Sequence, residues 1–195
     1  MVSPCDLEDF AHGFALTELG LGPADLVSVV LQSLLEGIQL DLRTRDPLPA
    51  RALDPQRWLP GRSGCGICGH RHLEDVVRQP AAVGQGSAIA SSALEVALRQ
   101  IEQRQPLNAA TGAIHAAAWA RADGSLVLVR EDVGRHNALD KLIGAMQREG
   151  VDPASGFALV TSRASYEMVA KAATAGIPLL AAMSAPTALA VDLAT

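Results

Sequence analysis

The chain reads as an α/β protein, a mixed sheet flanked by helices with one long cysteine-bearing loop. Three observations predict this. A short apolar run at residues 157–161, a helical stretch at 166–175 and a second apolar run at 178–183 read as strand, helix, strand, with a crossover that suits a parallel pair. Apolar runs at 113–120 and 125–130 flank Arg121-Ala122-Asp123-Gly124, and a glycine-containing turn between such runs predicts an antiparallel hairpin. The composition is 49% apolar but only 3% aromatic, with Ala, Leu and Val dominant, which suits helices packed closely on a sheet.

A length of 195 residues makes one domain over 1–195 the expectation. Leu7, Phe10, Ala11 and Phe14 recur at helical spacing, so a helix is predicted over 7–17, with Asp6 as its cap and Asp9 in its first turn. Pro23 breaks that pattern. In 24–35 Val27, Val29 and Leu31 alternate, Gly37 offers a turn, and Ile38, Leu40 and Leu42 alternate again, which predicts a second hairpin.

Residues 46–69 hold four prolines, three arginines (Arg51, Arg57 and Arg62) and a glycine cluster with little periodicity. A loop of this length in a compact domain usually serves function. A short helix is expected at 72–78. Ser91 or Ser92 can cap a longer one whose Leu94, Leu98 and Ile101 share a face, with Pro106 ending it. Residues 134–146 read as a helix with Leu139, Leu142 and Ile143 facing the core, and Gly176 stops the helix at 166–175. The final residues, 190–195, are still in a helical pattern, which reads like a truncated fold.

The formal charge of -5 comes from 21 acidic and 16 basic side chains without long blocks, so no field favours a polyanion, and nucleic acid is not an expected partner. A local basic pocket can still take a small phosphate-bearing ligand. The apolar runs fall short of the roughly 18 residues of a spanning helix and no signal-peptide pattern opens the chain, so a cytoplasmic location away from the membrane is expected.

Three cysteines cannot all pair within one chain, and in a reducing cytosol thiols more often bind metal or react. Cys65 and Cys68 stand in Gly-Cys-Gly-Ile-Cys-Gly, where the glycines clear space around both sulfurs. One thiol can stabilise the thiolate of the other or resolve a sulfur adduct on it, and Arg62 and Arg71 can favour the thiolate. Zinc competes, because His70 and His72 follow the pair, although four donors within eight residues would strain a tetrahedral site. A thioredoxin-like redox site and a plain structural loop also remain open at this point.

Two further segments carry candidate chemistry. Residues 131–141, Glu-Asp-Val-Gly-Arg-His-Asn-Ala-Leu-Asp-Lys, surround a predicted helix start whose free N–H groups suit an anion, and a capped helix with a solvated charged face is the plainer reading. Thr161-Ser162-Arg163-Ala164-Ser165 follows a predicted strand and opens a helix, so Arg163 and Ser165 are candidate phosphate contacts, against an ordinary serine cap beside a surface arginine. His115 reads as a hydrogen-bonded core histidine, and Cys5 as an isolated thiol near the terminus.

Taken together, the motif at 64–69, Thr111-Gly112-x-x-His115-Ala116-Ala117, the segment 131–141 and Ser162-Arg163-Ala164-Ser165-Tyr166-Glu167-Met168 closely resemble the FdhD family of formate dehydrogenase accessory sulfurtransferases. The motifs come in the family's order and span nearly the whole chain. The resemblance implies a cytidine-deaminase-like fold, a homodimer, and transfer of sulfur from a cysteine desulfurase to the molybdenum cofactor, bis-molybdopterin guanine dinucleotide, that formate dehydrogenase needs. It makes Cys65 the persulfide cysteine and Cys68 its partner, with no permanently bound metal.

The deaminase zinc ligands are absent: the helix starts carry His136-Asn137-Ala138 and Arg163-Ala164-Ser165 instead, which speaks against deamination and frees a pocket for a guanine-nucleotide-type ligand. His136, Asn137, Lys141, Arg163 and Ser165 are its expected contacts. The chain departs from the family pattern at Cys5, where glycine is usual, and at His70-Arg71-His72. It also reads as lacking the family's N-terminal strand and C-terminal cofactor-binding segment, so less than the complete cofactor site is expected. A cofactor-binding chaperone with dispensable cysteines and a zinc-binding module are the alternative functions.

Overall fold

The computed structural model of the chain describes residues 1–48 and 80–195. The predicted helix at 72–78 and the cysteine loop from residue 49 onward lie outside them. The described chain is the predicted mixed α/β fold. Its main sheet has four strands, β3 (His115–Arg121), β4 (Leu126–Asp132), β5 (Gly156–Arg163) and β6 (Leu180–Ser184), in the order β4-β3-β5-β6. β3 is antiparallel to both β4 and β5, whereas β5 and β6 are parallel, as the strand, helix, strand pattern predicts.

The sheet is buried on both faces, and the period of two divides its residues between two layers. Ala117, Trp119, Ala158 and Val160 face α4 (Arg135–Glu149) and α5 (Tyr166–Thr174). Ala116, Ala118, Ala120, Phe157 and Leu159 face α2 (Ser91–Gln103) through Ala97 and Ile101. Alanine is a poor strand former in isolation, and β3 is a strand because it is one of the two inner strands, paired on both sides and covered above and below.

A first helix, α1 (Leu7–Phe14), continues as a π-helical turn at Ala15–Leu19 and lies across α4. The crossing is close enough that a β-carbon on Gly13 would collide with the backbone of Asp140, and one on Gly144 with the backbone of Asp9. Asp6 does not cap α1 as expected: its backbone is left-handed, with φ 50°, and its side chain makes no cap bond. Asp9 stands in the first turn as expected, and there it is buried between Arg130 of β4 and Arg148 of α4.

β1 (Leu26–Leu34) and β2 (Gly37–Thr44) form the predicted hairpin, separate from the main sheet, with Val30, Leu31, Leu34 and Ile38 exposed. Two details differ from the sequence reading. Neither Ser91 nor Ser92 caps α2, because Ala90 occupies the cap position. Pro106 does follow the end of α2, but it also opens a further helix, α3 (Pro106–Thr111), at the first-turn position that tolerates a missing N–H. A last helix, α6 (Ala188–Ala194), is capped by the Thr187 hydroxyl.

Candidate functional site

The segment 131–141 supplies most of the polar groups of the predicted pocket, and the fold sorts them into scaffold and site. The Glu131 carboxylate accepts from the backbone N–H groups of Leu107 and Asn108, at 2.9 and 2.8 Å, so it caps α3 from a distant strand. The Asp132 and Lys141 side chains are fully buried and meet at 2.7 Å. Asp132 also accepts from Ser3 N, Gly134 N and Asn137 Nδ2, and Lys141 donates to the carbonyls of Ser3 and Glu131.

Asp140 belongs to a second buried cluster, accepting from Lys171 Nζ at 2.8 and 2.9 Å and from Thr17 Oγ1 at 2.8 Å. Burial alone would lower the Lys171 ammonium's pKa, but the Asp140 and Glu18 charges outweigh it and hold the value above the ordinary lysine range. These pairs tie α4 to the N-terminal segment and to α5. Of the expected pocket contacts, Lys141 is therefore buried in scaffold, and Asn137 is committed to Asp132 and to the Met1 carbonyl.

His136 behaves differently. It stands in the first turn of α4, facing Glu167 in the first turn of α5, with Nε2 and Oε2 2.7 Å apart and the side chains 17% and 25% exposed. The approach lies outside hydrogen-bond geometry, and both atoms are buried without a hydrogen-bond partner among the described residues. The Ser165 hydroxyl oxygen is in the same state: Ser165 occupies the α5 cap position, but its side chain does not cap. The ordinary-cap reading of Ser165 therefore fails.

Three buried polar atoms with unused hydrogen-bonding capacity thus gather where the starts of α4 and α5 face each other. Folded proteins rarely leave such atoms unmatched, and a ligand or ordered water is the usual complement. His115, at the start of β3, adds to this end of the sheet. Burial, then the charges of Arg135 and His136, holds its pKa below the ordinary value, which favours the neutral ring. Arg163 is exposed at the end of β5.

The arrangement offers backbone N–H groups at two helix starts, the Arg135 guanidinium, the His136 imidazole, and a carboxylate beside them, which suits a ligand bearing both anionic and hydrogen-bond-donating parts. The sequence reading missed Glu167 as a site residue and gave His115 no role. Each becomes informative only through its neighbours on other elements. Cys65 and Cys68, with Arg62, His70, Arg71 and His72, lie outside the described residues. A separate cleft of 370 Å³ is bordered by Cys5, Arg104, Leu107 and Glu131, and none of the expected pocket residues lines it. Among the described residues no helix is long and apolar enough to cross a membrane.

The family model described as the FdhD/NarQ family matches residues 1–195. A protein of Xanthomonas euvesicatoria pv. vesicatoria named sulfur carrier protein FdhD is 56% identical over 196 residues, covering all of this chain and 69% of the relative. A Bordetella bronchiseptica protein of the same name is 51% identical over 196 residues, covering 100% and 71%. The crystal structure of a protein assigned as a formate dehydrogenase accessory protein, from Desulfotalea psychrophila, superposes with a TM-score of 0.72 at 22% identity, covering 100% of this chain and 71% of that one. That likeness supports the fold, and the family match and the relatives carry the membership: this chain belongs to the FdhD/NarQ family.

Proposed function

We propose that the chain is a sulfur carrier serving formate dehydrogenase, an enzyme of the sulfurtransferase type that carries persulfide sulfur from a cysteine desulfurase to the molybdenum cofactor, bis-molybdopterin guanine dinucleotide. The observation that carries this reading is the glycine-flanked Cys65-Gly-Ile-Cys68 pair in a chain more than half identical to a protein named sulfur carrier protein FdhD.

In the first step the Cys65 thiolate attacks the outer sulfur of the donor's persulfide. A new S–S bond forms as the donor's breaks, and the donor leaves as a thiolate without net redox change. In the second, the Cys68 thiolate attacks the inner sulfur on Cys65. This leaves a Cys65–Cys68 disulfide and releases hydrosulfide to the acceptor, the two thiols supplying both electrons. A thiol reductant then restores the pair.

The acceptor is a substrate in this scheme. Its guanine nucleotide portion suits the junction of α4 and α5, where buried polar atoms stand unmatched. His136 and Ser165 are proposed to contact it from the site itself, with Arg163 at its exposed edge. Lys141 and Asn137 support the site as scaffold. We further propose a cytoplasmic homodimer.

Incubation with a cysteine desulfurase and sulfur-labelled cysteine, followed by mass spectrometry of the cysteine peptide, should place the label on Cys65. Full labelling of Cys65→Ala would overturn the assignment. A double cysteine variant that still activates formate dehydrogenase would favour a chaperone role, and stoichiometric zinc in the purified protein would favour a metal module.

A further inference from the structure

The β1–β2 hairpin leaves apolar side chains in water without a reason in the rest of the described fold. Val27, Val30, Leu31, Leu34, Leu35 and Ile38 are each 43% exposed or more. Together they present on the order of 600 Å² of surface, the upper end of the largest apolar patch on an ordinary monomer. A hairpin standing alone is marginally stable in water, and a third strand or a covering layer is the usual remedy. Among the described residues β1 and β2 pair only with each other, so each has an open outer edge.

The register separates the two remedies. Alternation puts Val30 and Leu34 of β1 on the face where β2 carries Gln39, Asp41 and Arg43, and puts Leu31 on the opposite face with Ile38. A covering layer would ask for apolar residues on one face only. β1 exposes them on both, as suits a strand whose neighbour lies beside it rather than above it. The two edges also differ. β1 has no charged residue and no proline from Leu26 to Leu34, so it lacks the devices that keep an edge strand unpaired, whereas β2 carries Asp41 and Arg43.

We propose that the outer edge of β1 is the contact between two copies of this chain, joined antiparallel about a two-fold axis into one sheet in the order β2-β1-β1-β2. This rests on the homodimer reading above and gives that dimer its surface. The occupant is a second copy because β1 is close to self-complementary when reversed. About Val30, Val29 meets Leu31, Ser28 meets Gln32 and Leu26 meets Leu34, so apolar faces apolar and polar faces polar. The register shift beside Val27 lies toward the end of the strand, away from this centre. An uncharged edge meets itself without the repulsion that opposes like charges set across a pair. Two such surfaces remove on the order of 1,200 Å² from water, the lower end of the range for a specific interface.

The test is sedimentation equilibrium of the full chain over a range of concentrations, with Val30→Lys and Gln39→Lys beside the wild type. Both positions are exposed and lie on the same face of the hairpin, so both accept a lysine without burying it. Val30→Lys sets two ammonium groups opposite each other across the axis, whereas Gln39→Lys adds the same charge away from it. The wild type should be a dimer that dissociates on dilution. Val30→Lys should weaken that dimer about tenfold or more, and Gln39→Lys should leave it near the wild type. As a second measurement, Val30→Cys under mild oxidation should yield a peptide joined to its own copy through residue 30.

A Val30→Lys dimer as tight as the wild type, equal weakening by Gln39→Lys, or a dimeric Val30→Cys without that cross-link would overturn the proposal while the homodimer reading stands. A wild type that stays monomeric would overturn both, and the hairpin would then be covered by something other than a second copy. Open-ended polymers in place of a dimer would overturn the closed pairing as well.

Discussion

Lys141 Nζ and Asp132 Oδ2 meet at 2.7 Å with neither side chain exposed, and through them the start of α4 is joined to the N-terminal segment at Ser3. Removing one partner of such a pair strands the other charge without compensation, which typically costs about 3–5 kcal/mol. Lys141→Met should lower unfolding free energy by about that amount in denaturant titration. A Lys141→Met/Asp132→Leu double variant should lose clearly less than the sum of the two single variants. A loss below about 1 kcal/mol for Lys141→Met would show that the pair does not hold this region.

The α1–α4 crossing makes a second prediction. Gly13 and Gly144 each lie against the other helix's backbone, and neither Asp140 nor Asp9 can move without disturbing its own ion pairs. Gly13→Ala and Gly144→Ala should each cost about 3 kcal/mol or prevent folding, as overpacking against backbone does. Gly84, with nothing close to its added β-carbon, serves as the comparison, and Gly84→Ala should stay within about 0.5 kcal/mol of the wild type. Equal melting temperatures for the Gly13 and Gly84 variants would show that the helices can separate freely.

His115 makes a prediction about pH. Burial, followed by the charges of Arg135 and His136, places its folded pKa below the ordinary value of 6.5. In the window between the folded pKa and 6.5 the unfolded chain binds the proton and the folded chain does not, so this residue costs stability as pH falls. The loss begins as pH drops through about 6.5 and levels off below the folded pKa. His115→Gln should flatten the melting temperature profile across that window relative to the wild type. A wild-type profile that rises on acidification there, or one that His115→Gln leaves unaltered, would contradict the assignment.

Much of the fold was legible because periodicity is a local property. Strand, helix, strand at 157–183 became β5, α5 and β6 with the expected parallel pairing, and both hairpins formed where alternation and a glycine predicted them. The failures share a cause. Asp6 reads as a cap, but its side chain makes no cap bond and lies 4.0 Å from Arg130 of β4, and α3 was hidden because the carboxylate that caps it belongs to Glu131 on β4.

The site shows the same division. As a string, the polar residues of 131–141 read either as an anion-binding helix start, with His136, Asn137 and Lys141 as contacts, or as a capped helix with a solvated charged face. Folded, Glu131 caps a helix, Asp132 and Lys141 neutralise each other in the interior, and Asp140 pairs with Lys171 of α5. His136 is left out of these pairs and faces Glu167 across the two helix starts, and Glu167 carries no local signal that would mark it.

By itself, the sequence determined the α/β class, the order of the strands and helices flanking the candidate site, and the presence of a glycine-flanked thiol pair suited to sulfur exchange, since these depend on residue type at short spacing. Only the tertiary structure decided which charged residues are paired in the interior and which are not. A buried charge must find its partner wherever the fold brings one within about 3 Å, and chain spacing carries no record of that meeting. His136 and Glu167 stand apart from the scaffold pairs because they come together without completing each other's hydrogen bonds.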